Sequence, residues 1–159
     1  MPFQGPGVYE IVPIQAKEMF ANSWGGDLKA GAQVKLYPRD SSDPHKNSIW
    51  QFALVGGFSD ASEYLIINVL TGYFLTATAE GTAVSTPQIS PTDPTARWRI
   101  TTGLPPFRDI FTINCALESR GQLNTNNGAM DKGTEIIAYG LTGQDSAKWQ
   151  LVRRPDAFS

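Results

Sequence analysis

The amino-acid sequence predicts an all-β fold, and three observations carry that prediction. Signals for helices are nearly absent, while 15 glycines and 11 prolines are scattered along the 159 residues. The apolar segments alternate at period two or form short β-branched runs, as strands do. Trp50, Trp98 and Trp149 follow one another at intervals of 48 and 51 residues. A fixed period in this range indicates structural repeats that bury their apolar faces together.

Each third of the chain shows the same order of strand signals. A first strand is predicted at residues 8–12, 64–69 and 110–114. A short second strand follows at 18–20, 72–75 and 121–123, and the first third shows a further one at 34–37. Each third then closes on a tryptophan strand, at 49–52, 97–100 and 148–151. In these strands the tryptophan and the residue two positions later share a face, so they should point into a common core.

Three four-stranded units predict a closed barrel with threefold pseudosymmetry. Closure removes the exposed edges that short strands would otherwise present. Segments 56–60 and 103–106 have turn composition without periodicity, and they mark the breaks between units. We therefore predict one domain, residues 1–159, with repeats at approximately 1–56, 57–104 and 105–159.

Composition narrows the classes of function. Hydrophobic residues make up 41% of the chain and charged residues 18%, as in an ordinary globular protein. A net charge of -2 gives no electrostatic footprint for nucleic acid, and no apolar run is long enough for membrane insertion. The N-terminal residues lack the pattern of a secretion signal, and Cys115 is the one cysteine. A cytoplasmic location is therefore expected, with Cys115 in the core.

The sequence does not predict an enzyme. The one histidine, His45, lies in a loop that we expect to be solvated, and nothing orients it toward Cys115 as a catalytic dyad. No pair of carboxylates has a spacing that suggests glycoside hydrolysis. Without a cluster of histidines and cysteines, a metal site is not expected either, and no cofactor is predicted.

The stretch 19–50 carries the pattern that indicates a binding site. A polar turn with Asn22, Trp24, Gly25 and Gly26 follows a strand end, and Tyr37 ends the next strand. Asn47 precedes the tryptophan strand and is expected on the surface. An aromatic ring stacks on the C–H face of a sugar, and asparagine amides both donate to and accept from hydroxyls. This combination is typical of a shallow sugar site.

The tryptophan strands also carry a family resemblance. The chain resembles the ricin-B-type β-trefoil lectins, whose repeats end in a Gln-x-Trp signature, although the glutamine position holds Ser48, Ala96 and Ala147 here. It is similar in particular to the small fungal lectins that bind galactose and N-acetylgalactosamine, through E-Y-L-I-I-N-V, G-Y-F-L-T-A-T and S-T-P-Q-I-S-P-T-D-P. The resemblance covers essentially the whole chain. It implies a β-trefoil with three pseudo-symmetric four-stranded repeats that binds glycans ending in these sugars.

The resemblance also ranks the three repeats. Family sites use Asp or Asn after the second strand, an aromatic residue ending the third, and Asn before the final tryptophan. The first repeat supplies all three elements, and Lys35 stands two residues before its ring. The third repeat keeps two elements and the second repeat keeps none. The matching positions are Asn124, Ile137, Tyr139 and Ser146 in the third repeat and Pro87 and Thr95 in the second. We therefore predict one working site, in the first repeat.

The expected roles follow from side-chain chemistry. Tyr37 would stack on the apolar face of galactose while Asn22 and Asn47 bind its hydroxyls. Lys35 would act as a cationic donor, and Trp24 with the Gly25–Gly26 turn would form the rim. One such site binds weakly, so a homodimer is expected to supply avidity. The alternatives are a β-trefoil protease inhibitor that acts through exposed loops and a purely structural or storage protein.

Overall fold

The computed structural model describes residues 3–26, 28–40, 45–57, 61–86, 90–140 and 143–155, with the side chains of Val84 and Thr86 excepted. Regular structure in this part of the chain consists of strands and short 3₁₀ turns. The strands are β1 (Gly7–Pro13), β2 (Met19–Ser23), β3 (Ala32–Pro38), β4 (Trp50–Gly56), β5 (Glu63–Asn68), β6 (Phe74–Ala79), β7 (Thr82–Thr86), β8 (Trp98–Thr102), β9 (Phe111–Cys115), β10 (Gln122–Thr125), β11 (Ile136–Tyr139) and β12 (Trp149–Arg153).

Six strands close into an antiparallel barrel. β1 pairs with β12 and β4, β4 with β5, β5 with β8, β8 with β9, and β9 with β12. Every barrel strand therefore has two neighbours, which leaves no open edge. The all-β prediction and the closed barrel are confirmed.

Three hairpins cover one end of this barrel, formed by β2–β3, β6–β7 and β10–β11. They also join one another: β3 pairs with β7, and Lys35 forms an isolated bridge with Glu135 ahead of β11. The arrangement is a β-trefoil. Segment 58–60 of the first predicted break between repeats lies outside the described residues.

The three tryptophans form the pseudo-symmetric centre of the core. Trp50, Trp98 and Trp149 are each fully buried, as the sequence predicted. Each indole Nε1 donates to a carbonyl oxygen in the second strand of its own repeat, which satisfies its only polar group. The acceptors are Ala21 at 3.0 Å, Leu75 at 2.9 Å and Leu123 at 3.1 Å.

These indole bonds define equivalent positions in the three repeats. The residues that follow the three acceptor carbonyls are Asn22, Thr76 and Asn124. Asn22 therefore lies inside β2, opposite Lys35 on β3, and not in the following turn where the sequence analysis placed it. The core tryptophan of each repeat thus fixes the backbone next to its candidate site.

Candidate carbohydrate-binding site

A cleft in the first repeat brings together most of the predicted site residues. Its volume is about 270 Å³. It lies between the end of β2, the 3₁₀ turn Trp24–Gly26, the end of β3 and the 3₁₀ turn Lys46–Ser48. The residues that line it are Asn22, Gly25, Gly26, Tyr37, His45 and Asn47. Five of the seven predicted residues are therefore here, while Trp24 and Lys35 lie beside the cleft.

Asn22 lines the cleft and holds an acceptor that no described residue uses. The residue is 3% exposed, and its Nδ2 donates to Ser48 Oγ at 2.7 Å. Its Oδ1 is buried and accepts no hydrogen bond from any residue that the structure describes. Leaving such an atom unpaired costs about 1–3 kcal/mol. Oδ1 is closed to solvent in this conformation, so a ligand hydroxyl that donates to it and removes this cost requires a shift of the side chain.

Asn47 is anchored to the backbone rather than free on the surface. It is half-buried, and its Nδ2 donates to the carbonyl oxygen of Ser23 at 3.0 Å. The expectation of a purely surface residue is therefore wrong, because the amide also ties the loop before β4 to the end of β2. One N–H and Oδ1 of the amide remain for a ligand.

A pair of glycines shapes the rim between these two asparagines. Gly25 and Gly26 have φ values of 71° and 63°. Residues with a side chain rarely adopt this left-handed conformation, whereas glycine does so at no steric cost. The tight turn lets the backbone close over the cleft next to the Asn47 amide.

The aromatic residues form a chain of edge-to-face contacts. Trp24 and Tyr37 have ring centroids 6.2 Å apart at 69°, and Tyr37 and His45 are 5.5 Å apart at 87°. The ammonium of Lys35 lies 5.0 Å from the Trp24 ring centroid, so it contacts the predicted rim residue instead of entering the cleft. Lys132, from the third repeat, lies 5.2 Å from the Tyr37 centroid. His45 lies in a loop, as expected, and it also lines the cleft.

A residue of the second repeat holds the Asn47 loop in place. Asn68 is fully buried, and its Nδ2 donates to the carbonyl oxygen of Asn47 at 2.9 Å. Its Oδ1 accepts from the backbone N–H groups of Leu70 and Thr71, both at 3.2 Å. Sequence reasoning missed this support. The available signal was a lone asparagine at the end of an otherwise apolar strand.

A second, larger cleft lies at the equivalent place in the third repeat, with a volume of about 640 Å³. Asn124 and Tyr139 both line it, as their positions in the sequence predicted. Asn124 Oδ1 accepts a hydrogen bond from Ser146 Oγ at 3.1 Å. Asn127, at φ 56°, and Gly128, at φ 68°, repeat the left-handed turn of the first cleft.

The second repeat lacks this chemistry at the positions that the structure describes. Thr76 stands at the position equivalent to Asn22 and bonds the carbonyl oxygen of Phe74. Thr95, at the position of Asn47, donates from its backbone N–H and its hydroxyl to Asp93 Oδ1 at 2.9 and 2.7 Å. These two bonds lower the pKa of Asp93. Pro87, the residue predicted in place of the ring, lies outside the described residues.

The remaining candidate groups show no arrangement for catalysis or metal binding. Cys115 is buried in the core, and burial raises the pKa of its thiol, which keeps it protonated and unreactive. Among the described residues, no group of three or more histidine, cysteine, aspartate or glutamate side chains is placed to hold a metal ion. No helix within the described ranges has the length and apolar character needed to cross a bilayer.

The fold and the clefts define a β-trefoil carbohydrate-binding protein, and comparisons with known proteins agree. No family model matches the sequence. An agglutinin of Sclerotinia sclerotiorum is 47% identical over 149 residues, which cover 94% of this chain and 97% of the agglutinin.

Solved structures share the fold at low sequence identity. The Rhizoctonia solani agglutinin is 18% identical with a TM-score of 0.76, and the match covers 97% of this chain and 100% of that one. The Macrolepiota procera ricin B-like lectin, in complex with lactose, is 20% identical with a TM-score of 0.71 over 97% of this chain and 100% of the other.

The chain belongs to the family of the Sclerotinia agglutinin, and it shares the β-trefoil fold of the ricin B-like lectins. It is a carbohydrate-binding lectin and not an enzyme. This membership favours the lectin interpretation over the protease-inhibitor alternative.

Proposed function

We propose that the protein binds glycans ending in galactose or N-acetylgalactosamine through the first-repeat cleft alone. The observation that carries this proposal is the convergence of Asn22, Tyr37 and Asn47 on one small cleft. Its volume of about 270 Å³ lies near the lower end for ligand pockets, which suits one terminal sugar. Lactose, the ligand of the Macrolepiota lectin, is itself a galactoside.

Each side chain has a distinct role in this proposal. The ring of Tyr37 stacks on the apolar C–H patch of galactose. Asn22 Oδ1 accepts from one hydroxyl, and the free N–H and Oδ1 of Asn47 bind a second. The Gly25–Gly26 turn closes the rim, and Trp24 and Lys35 extend the site beyond the terminal sugar.

The proposed affinity is low for one site. Each hydroxyl leaves water in order to bind, so a hydrogen bond contributes about 0.5–1.5 kcal/mol. One sugar should then bind with a dissociation constant from about 1 mM to tens of micromolar, or roughly -4 to -6 kcal/mol. We propose that a homodimer presents two sites together and supplies the avidity that agglutination needs.

Titration calorimetry with lactose and N-acetylgalactosamine tests the proposal. Asn47→Ala removes the hydroxyl contacts of the amide and should cost about 1–3 kcal/mol of binding free energy, enough to bring the affinity below detection. Ser146→Ala at the matching place in the third repeat is the control and should bind like the parent. Parent-like binding by Asn47→Ala, or a stoichiometry of two or three sugars per chain, would refute the single-site proposal.

A further inference from the structure

Two lysine ammoniums lie on an aromatic pair beside the first-repeat cleft. Lys35 Nζ is 5.0 Å from the ring centroid of Trp24, and Lys132 Nζ is 5.2 Å from that of Tyr37. The two rings contact each other edge to face. A cation–π contact holds an ammonium in place without neutralising its charge. Both positive charges are therefore available at the edge of the proposed sugar site.

Lys132 belongs to the third repeat, and backbone hydrogen bonds hold its segment beside Tyr37. Gly133 N donates to Leu36 O, and Leu36 N donates to Thr134 O, both at 2.8 Å. Trp24 packs against Gly133, where a Cβ would lie 3.6 Å from the indole ring. Leu36, which precedes Tyr37, is thus joined by two backbone hydrogen bonds to Gly133 and Thr134, which follow Lys132. These bonds fix the backbone that carries the second ammonium beside Tyr37, while the Lys132 side chain itself is exposed.

Neither ammonium forms an ion pair with an acid in the part of the chain that the structure describes. Within the described part of the chain, no carboxylate oxygen lies within 4 Å of Lys35 or Lys132, although Glu135 is the bridge partner of Lys35. Lys148, by contrast, pairs with Asp145 at 2.9 Å. The net charge of the chain is -2. The two lysines therefore form a local positive patch beside the cleft, on a protein whose net charge is negative.

We infer that this site takes an acidic galactoside, a glycan whose galactose bears or adjoins one anionic group, either a sulfate ester or a carboxylate. The inference rests on the proposed function, because the galactose ring occupies the first-repeat cleft. The anionic group then lies against Lys35 and Lys132, where it accepts charge-assisted hydrogen bonds that are stronger than those of neutral hydroxyls. The lysines thus select among glycans that present the same galactose ring to the cleft.

Calorimetry with matched glycans tests this inference. The neutral probe is lactose, and the acidic probes are lactose sulfated at the 3- or 6-hydroxyl of galactose and lactose sialylated at the same two hydroxyls. At least one acidic probe should bind roughly tenfold tighter than lactose at low ionic strength. The gain should shrink as salt is added, because exposed charges are screened. Gains with the sulfated probes alone identify a sulfate, and gains with the sialylated probes alone identify a carboxylate.

Two charge-matched variants separate this inference from the proposed function. Lys132→Gln should remove most of the gain, taken as the ratio of acidic-probe affinity to lactose affinity measured on the same variant. Lys17→Gln makes the same change of net charge at an exposed lysine that does not line the cleft, and should keep the full gain. If lactose binds but no acidic probe binds tighter, or if the gain survives in the Lys35→Gln/Lys132→Gln double variant, the inference fails alone. If neither lactose nor any acidic probe binds, both proposals fail.

Discussion

The clefts of the first and third repeats share their backbone frame but differ in the side chains that fill it. In both, a core indole bonds the carbonyl before the key asparagine, which is Asn22 or Asn124. In both, a 3₁₀ turn with two left-handed residues follows that asparagine. The frame is therefore a property of the repeat, and it does not by itself make a sugar site.

The chemistry of the two clefts differs at three places. Asn47 offers an amide where the third repeat has Ser146, whose hydroxyl bonds Asn124 and so occupies the acceptor that is unused in Asn22. Tyr37 has aromatic neighbours on two sides, whereas none of the ring pairs among the described residues involves Tyr139. The third cleft is also more than twice as large.

A further difference comes from the neighbouring repeat, which packs against the loop of each cleft. Asn68, Cys115 and Pro13 occupy equivalent positions, opposite Trp50, Trp98 and Trp149. Asn68 Nδ2 donates to the carbonyl oxygen of Asn47 at 2.9 Å, and Cys115 Sγ donates to Pro94 and Thr95 carbonyls.

Pro13 has no side-chain donor for the loop that carries Ser146. The comparison shows that all three repeats contribute to the first cleft. The second repeat holds the Asn47 loop through the Asn68 hydrogen bond, which we call the clamp, and the third repeat places Lys132 beside Tyr37.

The largest expected effect is a loss of stability when a core tryptophan is replaced, and it tests whether both repeats depend on the same backbone frame. Trp50→Ala and Trp149→Ala should each cost roughly 3–5 kcal/mol of unfolding free energy, because each removes a fully buried indole and its hydrogen bond. Urea unfolding monitored by circular dichroism measures both. A large loss for one variant and a loss under about 1 kcal/mol for the other would show that the two repeats do not share this centre.

The next effect tests the clamp. Asn68→Ala removes the bond to the Asn47 carbonyl and the acceptor of two backbone N–H groups. We expect a loss of about 1–3 kcal/mol in stability and roughly tenfold weaker lactose binding, measured at a temperature where the variant remains folded. Pro13→Ala, at the equivalent position beside the third cleft, should leave lactose binding unchanged. Destabilisation of Asn68→Ala with unchanged lactose affinity would mean that the clamp does not position the site.

A third variant tests whether adding one amide is enough to make the third cleft bind sugar. Ser146→Asn gives the third cleft the amide that Asn47 gives the first. The variant still has no side-chain donor at position 13 and no aromatic neighbour for Tyr139. Calorimetric titration with lactose should therefore still give one site per chain. A stoichiometry of two would show instead that the amide alone separates the clefts.

The fold was predictable from the sequence because period-two patterning and three spaced tryptophans are local signals of a repeated β architecture. The grouping of Asn22, Tyr37 and Asn47 was also predictable, because each stands at the end of a predicted strand or just before one. Lys132, Asn68 and the cleft position of His45 were not predictable. Lys132 and Asn68 reach the first cleft from other repeats, and His45 reaches it by a loop turn that leaves no periodic pattern. Contacts between repeats depend on how the hairpins pack over the barrel end.

The smallest expected effect concerns stability at the two matched positions. Asn47→Ala should cost about 0.5–1.5 kcal/mol of unfolding free energy, because its Nδ2 bond to the Ser23 carbonyl joins two chain segments. Ser146→Ala should cost at most about 0.5 kcal/mol, since Ser146 and Asn124 both line the third cleft, where water can replace the lost hydroxyl. Urea midpoints of the two variants, measured without sugar, give the difference. Equal midpoints would mean that the Asn47 amide is free in solution, and the loss of sugar binding in Asn47→Ala would then report ligand contacts alone.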